Sequence, residues 1–334
     1  MKKLVLIAAA LAMTAGTVGT AFAADMPLKA VKAPPPAPFD PWDLAFGSAV
    51  MSDYVFRGVT QTNHQASVTA YFEPRYNVNK DLQLYIGTST ENVSFANRAA
   101  AEVDIYGGIR PTFGAAAFDF GVWGYLYPGG TCYFGAPFDG AGNALSPECA
   151  ANALPNGNVM KRDVSFFEAY GKLNYTVNDN WAFGVNEYYS PNFLNSGAWG
   201  DYASVTAKFS APSTFLNNGV GFYVSGEFGR QWLGTSDSFY GTGAGTVFAN
   251  GIPYADYDTW NIGIGFTYKV FTLDLRYSDT DLSKGNCSAF TSSFNASGTT
   301  SVTSINPLGT GSNWCGATGI AKLSADLTAM TSLK

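Results

Sequence analysis

Residues 66–78 read Ala-Ser-Val-Thr-Ala-Tyr-Phe-Glu-Pro-Arg-Tyr-Asn-Val. Ala66, Val68, Ala70, Phe72, Tyr76 and Val78 fall on one parity, and Ser67, Thr69, Glu73, Arg75 and Asn77 on the other. A β-strand sends successive side chains to opposite faces, so the stretch has one apolar face and one polar, charged face. The pattern returns with Ala101, Val103, Ile105 and Ile109 against Glu102, Asp104, Tyr106 and Arg110. Phe118, Phe120, Val122 and Leu126 oppose Asp119, Trp123 and Tyr125, and Phe167, Ala169, Leu173, Tyr175 and Val177 oppose Glu168, Tyr170, Lys172 and Asn174. Near the end, Trp260, Ile262, Ile264, Phe266 and Tyr268 alternate with Asn261, Thr267 and Lys269, and Phe271, Leu273, Leu275 and Tyr277 with Thr272, Asp274 and Arg276. Weaker copies lie near 42–52, 82–90, 181–189, 201–210, 219–232 and 319–329. That predicts about twelve strands, most near the roughly 9–11 residues that cross a bilayer at a tilt.

Alternation alone also fits a soluble sandwich, so the connections decide. Short turns are expected at Asn77–Asp81, Pro111–Ala116, Asn178–Asn180, Ala211–Asn218 and near Lys269–Val270. Between them come long segments at 53–63, 91–99, 128–162, 190–199, 233–255 and 279–318. Transmembrane barrels show this asymmetry, with short periplasmic turns and long outer loops. Twelve strands with both termini periplasmic require five turns and six loops, the number found. Trp42, Tyr76, Tyr127, Tyr175, Trp181, Tyr189, Trp199, Trp260, Tyr268 and Tyr277 near strand ends fit interfacial aromatic girdles.

The first residues place that barrel outside the cytoplasm. Lys2 and Lys3 precede an apolar run from Leu4 to Met13 and then Ala21-Phe22-Ala23, a signal-peptide pattern with cleavage before Ala24. The run is too short to cross about 30 Å of hydrocarbon. From Lys32 to Pro41 the proline-rich chain is an extended periplasmic spacer. Loss of two leader lysines makes the net charge more negative than −6, so nucleic acid is not an expected partner. Charged residues are only 13% of the chain, with 15% aromatic residues and 37 glycines, a balance suited to strands that face lipid.

The fold expected is therefore all-β: a transmembrane, antiparallel, up-and-down β-barrel of about twelve strands over 42–334, after a signal peptide (1–23) and a spacer (24–41). In an oxidising compartment Cys132, Cys149, Cys287 and Cys315 are expected as disulfides. Local pairing, Cys132 with Cys149 and Cys287 with Cys315, closes one loop segment each. A zinc site is the rival reading, but there is no CxxC and only one His, so no metal site is expected.

Ser52-Asp53-Tyr54-Val55-Phe56-Arg57-Gly58-Val59-Thr60-Gln61-Thr62 resembles the signature of the TorF porin family, as does Leu273-Asp274-Leu275-Arg276-Tyr277-Ser278-Asp279-Thr280 before a cysteine loop. The resemblance implies an outer-membrane barrel and a porin, with no catalytic residues. One departure concerns the end of the chain: outer-membrane barrels commonly close on a terminal Phe or Tyr, whereas this sequence ends Met330-Thr331-Ser332-Leu333-Lys334.

The faces opposite lipid carry Glu73, Arg75, Glu102, Asp104, Arg110, Asp119, Glu168, Lys172, Lys208, Glu227, Lys269, Asp274, Arg276, Lys322 and Asp326. An Arg or Lys facing mid-bilayer lipid costs about 2–4 kcal/mol, so these side chains are expected to line the lumen. They either border a watery channel or pair across a narrow interior. Tyr54, Phe56 and Arg57 beside Asp53 form either an infolded constriction or a turn packed on the rim. Tyr71, Tyr85, Tyr106, Tyr125, Tyr170, Tyr188, Tyr202 and Tyr223 either stack planar solutes or fill the lumen. His64 stands alone with no Gly-x-Ser-x-Gly elbow, so no catalysis and no cofactor are expected. The function expected is passive diffusion of small hydrophilic solutes across the outer membrane of a Gram-negative bacterium. The alternative is a non-conducting structural or adhesive barrel whose loops bind a partner. Expected partners are outer-membrane lipid, the solutes and the barrel-insertion machinery.

Overall fold

The computed structural model describes residues 41–131, 133–134, 159–216, 219–242, 245–291, 293, 296, 298 and 300–332. The expected signal peptide, the proline-rich segment before Pro41 and the expected Cys132–Cys149 bridge lie outside the described residues.

In chain order the strands are β1 (Trp42–Met51), β2 (Val55–Phe56), β3 (Val59–Thr60), β4 (Ser67–Asn79), β5 (Leu82–Glu91), β6 (Glu102–Phe113), β7 (Ala116–Leu126) and β8 (Tyr133–Phe134). Then follow β9 (Val159–Met160), β10 (Phe166–Thr176), β11 (Trp181–Ser190), β12 (Gly200–Ser210), β13 (Gly221–Leu233), β14 (Tyr257–Tyr268), β15 (Phe271–Thr280) and β16 (Thr318–Thr328). Twelve of these close a barrel in the order β1-β16-β15-β14-β13-β12-β11-β10-β7-β6-β5-β4. The remaining four form two small hairpins, β2-β3 and β8-β9, inside outer loops. Every barrel pairing is antiparallel, and each joins strands consecutive among the twelve except the closure of β1 on β16, with Ala45 facing Thr328 and Met51 facing Lys322.

Parity acts as the sequence predicts. Val68, Phe72, Val78, Ile86, Ile105, Phe120, Val122, Phe167, Phe183, Phe228, Ile262, Leu275 and Leu323 are exposed on the outer wall. An apolar surface this extensive is the lipid-facing band of a bilayer-spanning barrel. Glu187 and Arg230 share the outward parity of Phe183 and Phe228 but lie three residues from the outer ends of β11 and β13, where the apolar band gives out.

One boundary moves. The turn expected from Pro111 shrinks to Gly114-Ala115, because β6 runs through Pro111, paired with Leu82, to Phe113. Proline lacks only its own N–H. The next donor, Thr112 N, bonds Asp81 O at 2.8 Å, so the ladder survives to the strand end.

The apolar core lies in the outer loops. Val59, Phe95, Tyr127, Val164, Phe193, Ile252, Tyr254, Leu282 and Trp314 pack into one cluster. Cys287, on helix α1 (Lys284–Thr291), is bonded to Cys315, as the local pairing predicts, and both half-cystines join that cluster. The last loop also holds the first one from above: Thr60 N donates to Trp314 O at 2.8 Å, and Val59 bridges Cys315.

Candidate functional site

The first outer loop leaves β1 at Met51 and returns to β4 at Ser67. Its organiser is buried Asp53. Thr60 Oγ1 (2.5 Å) and Thr62 Oγ1 (3.0 Å) donate to Asp53 Oδ1, and His64 Nδ1 lies 2.7 Å from Asp53 Oδ2. These bonds fold the loop back on itself and leave the β2-β3 hairpin as a tongue. The tip is Arg57-Gly58, both in the left-handed region (φ 47° and 77°), as a two-residue hairpin turn needs.

The tongue enters the barrel and reaches the far wall. Arg57 Nη1 and Nη2 donate to Glu168 Oε1 and Oε2 at 2.8 and 2.7 Å, and Nη1 also to Gln231 Oε1 at 3.0 Å. Its guanidinium carbon lies over the rings of Tyr202 (4.4 Å), Phe56 (4.5 Å) and Tyr188 (5.0 Å). Glu168, Tyr188, Tyr202 and Gln231 stand on β10 to β13, across the barrel from β1 and β4. Glu168 is the third residue of β10 and Gln231 the third from the end of β13, so the ion pair sits roughly 7 Å inside the outer strand ends at about 3.3 Å per residue. A Cβ on Gly58 would lie 2.9 Å from Thr259 Oγ1 and from Thr280 Cβ, so only glycine fits between tongue and wall. Of the two sequence-level readings of Tyr54, Phe56 and Arg57, the structure takes the infolded one.

His64 anchors the base of the tongue. Its two ring nitrogens face acceptors, Asp53 Oδ2 and Asn313 O at 2.8 Å, and only an imidazolium donates to both. Partial burial pulls its pKa down, but the bonds to Asn313 and Asp53 outweigh that, so the pKa is raised above its ordinary value. A raised cationic pKa means the anchor is fully present below the ordinary histidine value of roughly 6.5 and is lost as pH climbs through the raised one. Tryptic cleavage after Arg57 should therefore accelerate with alkalinisation in the native chain beyond trypsin's own pH profile. His64→Gln should remove that excess; an excess that persists in the variant would mean His64 does not anchor the loop.

Below the tongue the inward charges form two clusters. On one wall Glu73 accepts from Arg75 Nε (2.6 Å) and Arg110 Nη1 (2.7 Å), Arg110 Nε reaches Asp119 at 3.2 Å, and Arg75 lies 3.8 Å from Asp43. Tyr85 Oη donates to Asp119 and meets Tyr170 Oη, and Lys172 Nζ lies over the Tyr170 ring at 4.4 Å. On the opposite wall Arg276 binds Asp274 through Nε (3.0 Å) and Nη2 (2.9 Å), Asn261 and Ser225. Glu227 accepts from Tyr202 and Asn261, and Lys208 Nζ sits over Tyr223 at 4.3 Å. Asp326 accepts from Tyr71 at 3.1 Å, and Lys322 pairs with Met51 on the closing seam. Glu102 and Asp104 lie together near the outer end of β6.

One sequence-predicted lining residue is placed elsewhere. Lys269 belongs to the turn between β14 and β15, is exposed, and has φ 54°. Parity assigned it inward, but the strand ends at Tyr268, and a two-residue turn has no inward face. Gln231, Asp43 and Glu91 escaped the sequence reading. Each shares the inward parity of its strand, which was the signal available; Gln231 is fully buried.

The lumen tyrosines lie over glycines of the neighbouring strand. Cβ atoms built on Gly87, Gly121, Gly229 and Gly265 would strike the rings of Tyr106, Tyr170, Tyr202 and Tyr223. That is a space-filling arrangement, in which a strand without side chain is covered by its neighbour's ring.

A family model described as a bacterial protein of unknown function (Gcw_chp) matches residues 36–141, which include the tongue. No curated protein matches the chain. Among solved structures, the COG4313 outer membrane channel from Pseudomonas putida F1 is 10% identical, with a TM-score of 0.43 over 87% of this chain and 97% of that one. The NanC porin is 7% identical (TM-score 0.38, covering 86% and 98%), and the Pseudomonas putida toluene transporter TodX 13% (TM-score 0.37, covering 87% and 89%).

Proposed function

We propose that this chain is an outer-membrane channel of a Gram-negative bacterium that passes small hydrophilic solutes passively, with the first outer loop as its constriction. The observation that carries the reading is the Arg57 tongue, held on Glu168 and Gln231 across a lumen whose inward faces are charged below it. A charged, hydroxyl-rich interior favours water and ions over apolar solutes, and a loop fixed across the bore narrows it. The TorF-like motif over 52–62 supports the same reading, and its residues are the ones that build the tongue. The proposal assigns no catalysis: His64 is taken up in anchoring the loop. Lipid contact is assigned to the apolar outer wall, and insertion machinery is the expected assembly partner.

Purified barrel, shown to be folded by heat-modifiable mobility, is expected to give small, discrete current steps in planar bilayers. A folded barrel that never conducts would favour the second reading, a structural or adhesive barrel. The apolar core that, among the described residues, binds the outer loops into one platform is the feature that would serve it.

A further inference from the structure

Glu91 closes β5 and Glu102 opens β6, and the ladder sets them directly opposite one another. Asp104, on the same inward face, pairs with Ser89. One carboxylate oxygen from each of the three comes within 4.8 Å of those of the other two. Like charges opposite on a sheet repel, and burial sharpens the cost: Glu102 is 1% and Asp104 3% exposed.

Other lumen acids either stand apart from one another, as Glu227 and Asp326 do on neutral donors, or have a base. Glu73, Asp119, Glu168 and Asp274 each have an arginine within ion-pair distance. Among the described residues Glu91, Glu102 and Asp104 have no such pair, and Lys322 acts on Glu91 only from farther away. Neutral donors occupy four of the six oxygens. Tyr54 Oη (2.6 Å) and Tyr127 Oη (2.7 Å) donate to Glu102, Thr69 Oγ1 (2.6 Å) to Glu91 Oε1, and Ser89 Oγ (2.8 Å) to Asp104 Oδ2. Of the other two, Glu91 Oε2 is buried with no hydrogen-bond partner, and Asp104 Oδ1, also buried, makes no well-formed bond and has only the indole N–H of Trp123 beside it. Three clustered acids have no base within ion-pair distance, and two of them hold a buried oxygen that makes no well-formed hydrogen bond, so the cluster is short of positive charge.

We infer that Glu91, Glu102 and Asp104 form a binding site for a hard divalent cation of the calcium type. Two oxygens bound to one calcium at about 2.4 Å can lie at most roughly 4.8 Å apart, which the three ligand atoms satisfy. The donors are all oxygen, with no imidazole or thiolate in the cluster, which selects calcium or its relatives over softer metals. Glu102 also takes the Tyr54 hydroxyl from the first loop, so an ion held here would steady the base of the tongue.

The full barrel in detergent, stripped with chelator and dialysed, is titrated with terbium while emission is excited through Trp123, which borders Asp104. Saturable emission that calcium displaces is expected, together with a higher unfolding temperature in calcium. Asp104→Asn should weaken terbium binding at least about tenfold, since even the loss of a group that only supports a metal ligand costs about that much. Glu91→Gln, at the less buried position, should do the same and guards against a folding defect in the first variant. Asp81→Asn, in an exposed turn, should change nothing. Absence of saturable emission, or emission unchanged in the Glu91→Gln and Asp104→Asn variants, would overturn the site. So would an unfolding temperature indifferent to calcium while Asp104→Asn raises it, since the cluster would then be relieved by neutralisation alone. None of these readouts depends on whether the barrel conducts.

Discussion

Arg57→Ala is expected to lower the unfolding free energy by about 3–5 kcal/mol, the range for removing one partner of a buried ion pair, and to raise single-channel conductance. Glu168 is fully buried, and without the guanidinium its carboxylate keeps Tyr125 Oη at 3.2 Å and no base. The tongue would lose two charge-assisted bonds to Glu168, the bond to Gln231 and the stacking on Tyr188 and Tyr202. Arg57→Ala combined with Glu168→Gln separates the two effects. The double variant should regain most of the stability, because no uncompensated charge remains, yet keep the raised conductance, because nothing holds the tongue across the bore. Unfolding midpoints and planar-bilayer recordings on both variants decide it. Native stability and native conductance in Arg57→Ala would mean that the hairpin tip is not docked on the far wall.

Arg75→Gln with Arg110→Gln is expected to shift ion preference toward cations several-fold and to destabilise the inner half of the barrel. Both arginines converge on Glu73, which is buried, and Arg110 also neutralises Asp119. Their removal leaves Glu73 and Asp119 as net negative charge in a low-dielectric bore, which attracts cations and repels anions. The loss of stability should fall near the lower end of about 3–5 kcal/mol, since Arg110 is partly solvated and Asp119 keeps the Tyr85 hydroxyl. Adding Glu73→Gln should restore stability and reverse much of the selectivity change. Reversal potentials in a salt gradient, read beside unfolding midpoints, provide the check. If neither moves, these side chains do not face a conducting path.

Much of this architecture was legible from parity. The inward positions of Glu73, Arg75, Arg110, Asp119, Lys172, Asp274 and Arg276 follow from a period of two, because an apolar outer face fixes which side each residue takes. Lys269 shows the limit: parity has meaning only while the strand continues, and one residue beyond Tyr268 the chain has already turned. The pairing of charges was not legible, because Arg110 finds Glu73 two strands away and Arg276 finds Ser225 on β13, contacts set by register. Nor was the partner of Arg57, 111 residues distant in sequence.

By itself, then, the sequence determined the strand number, the alternation of short turns and long loops, the face each side chain takes and the local Cys287–Cys315 bridge. All of these depend on near neighbours in the chain, where backbone geometry and hydrophobic period act directly. Only closure of β1 on β16 decided that the first loop, short in sequence, stands opposite β10 to β13 and can drive Arg57 between their side chains. The same closure of distance set Tyr54 on Glu102 and left Glu91 and Asp104 each with a buried oxygen that makes no well-formed hydrogen bond. Contacts of that kind belong to the barrel's curvature and register, which no local stretch of sequence encodes.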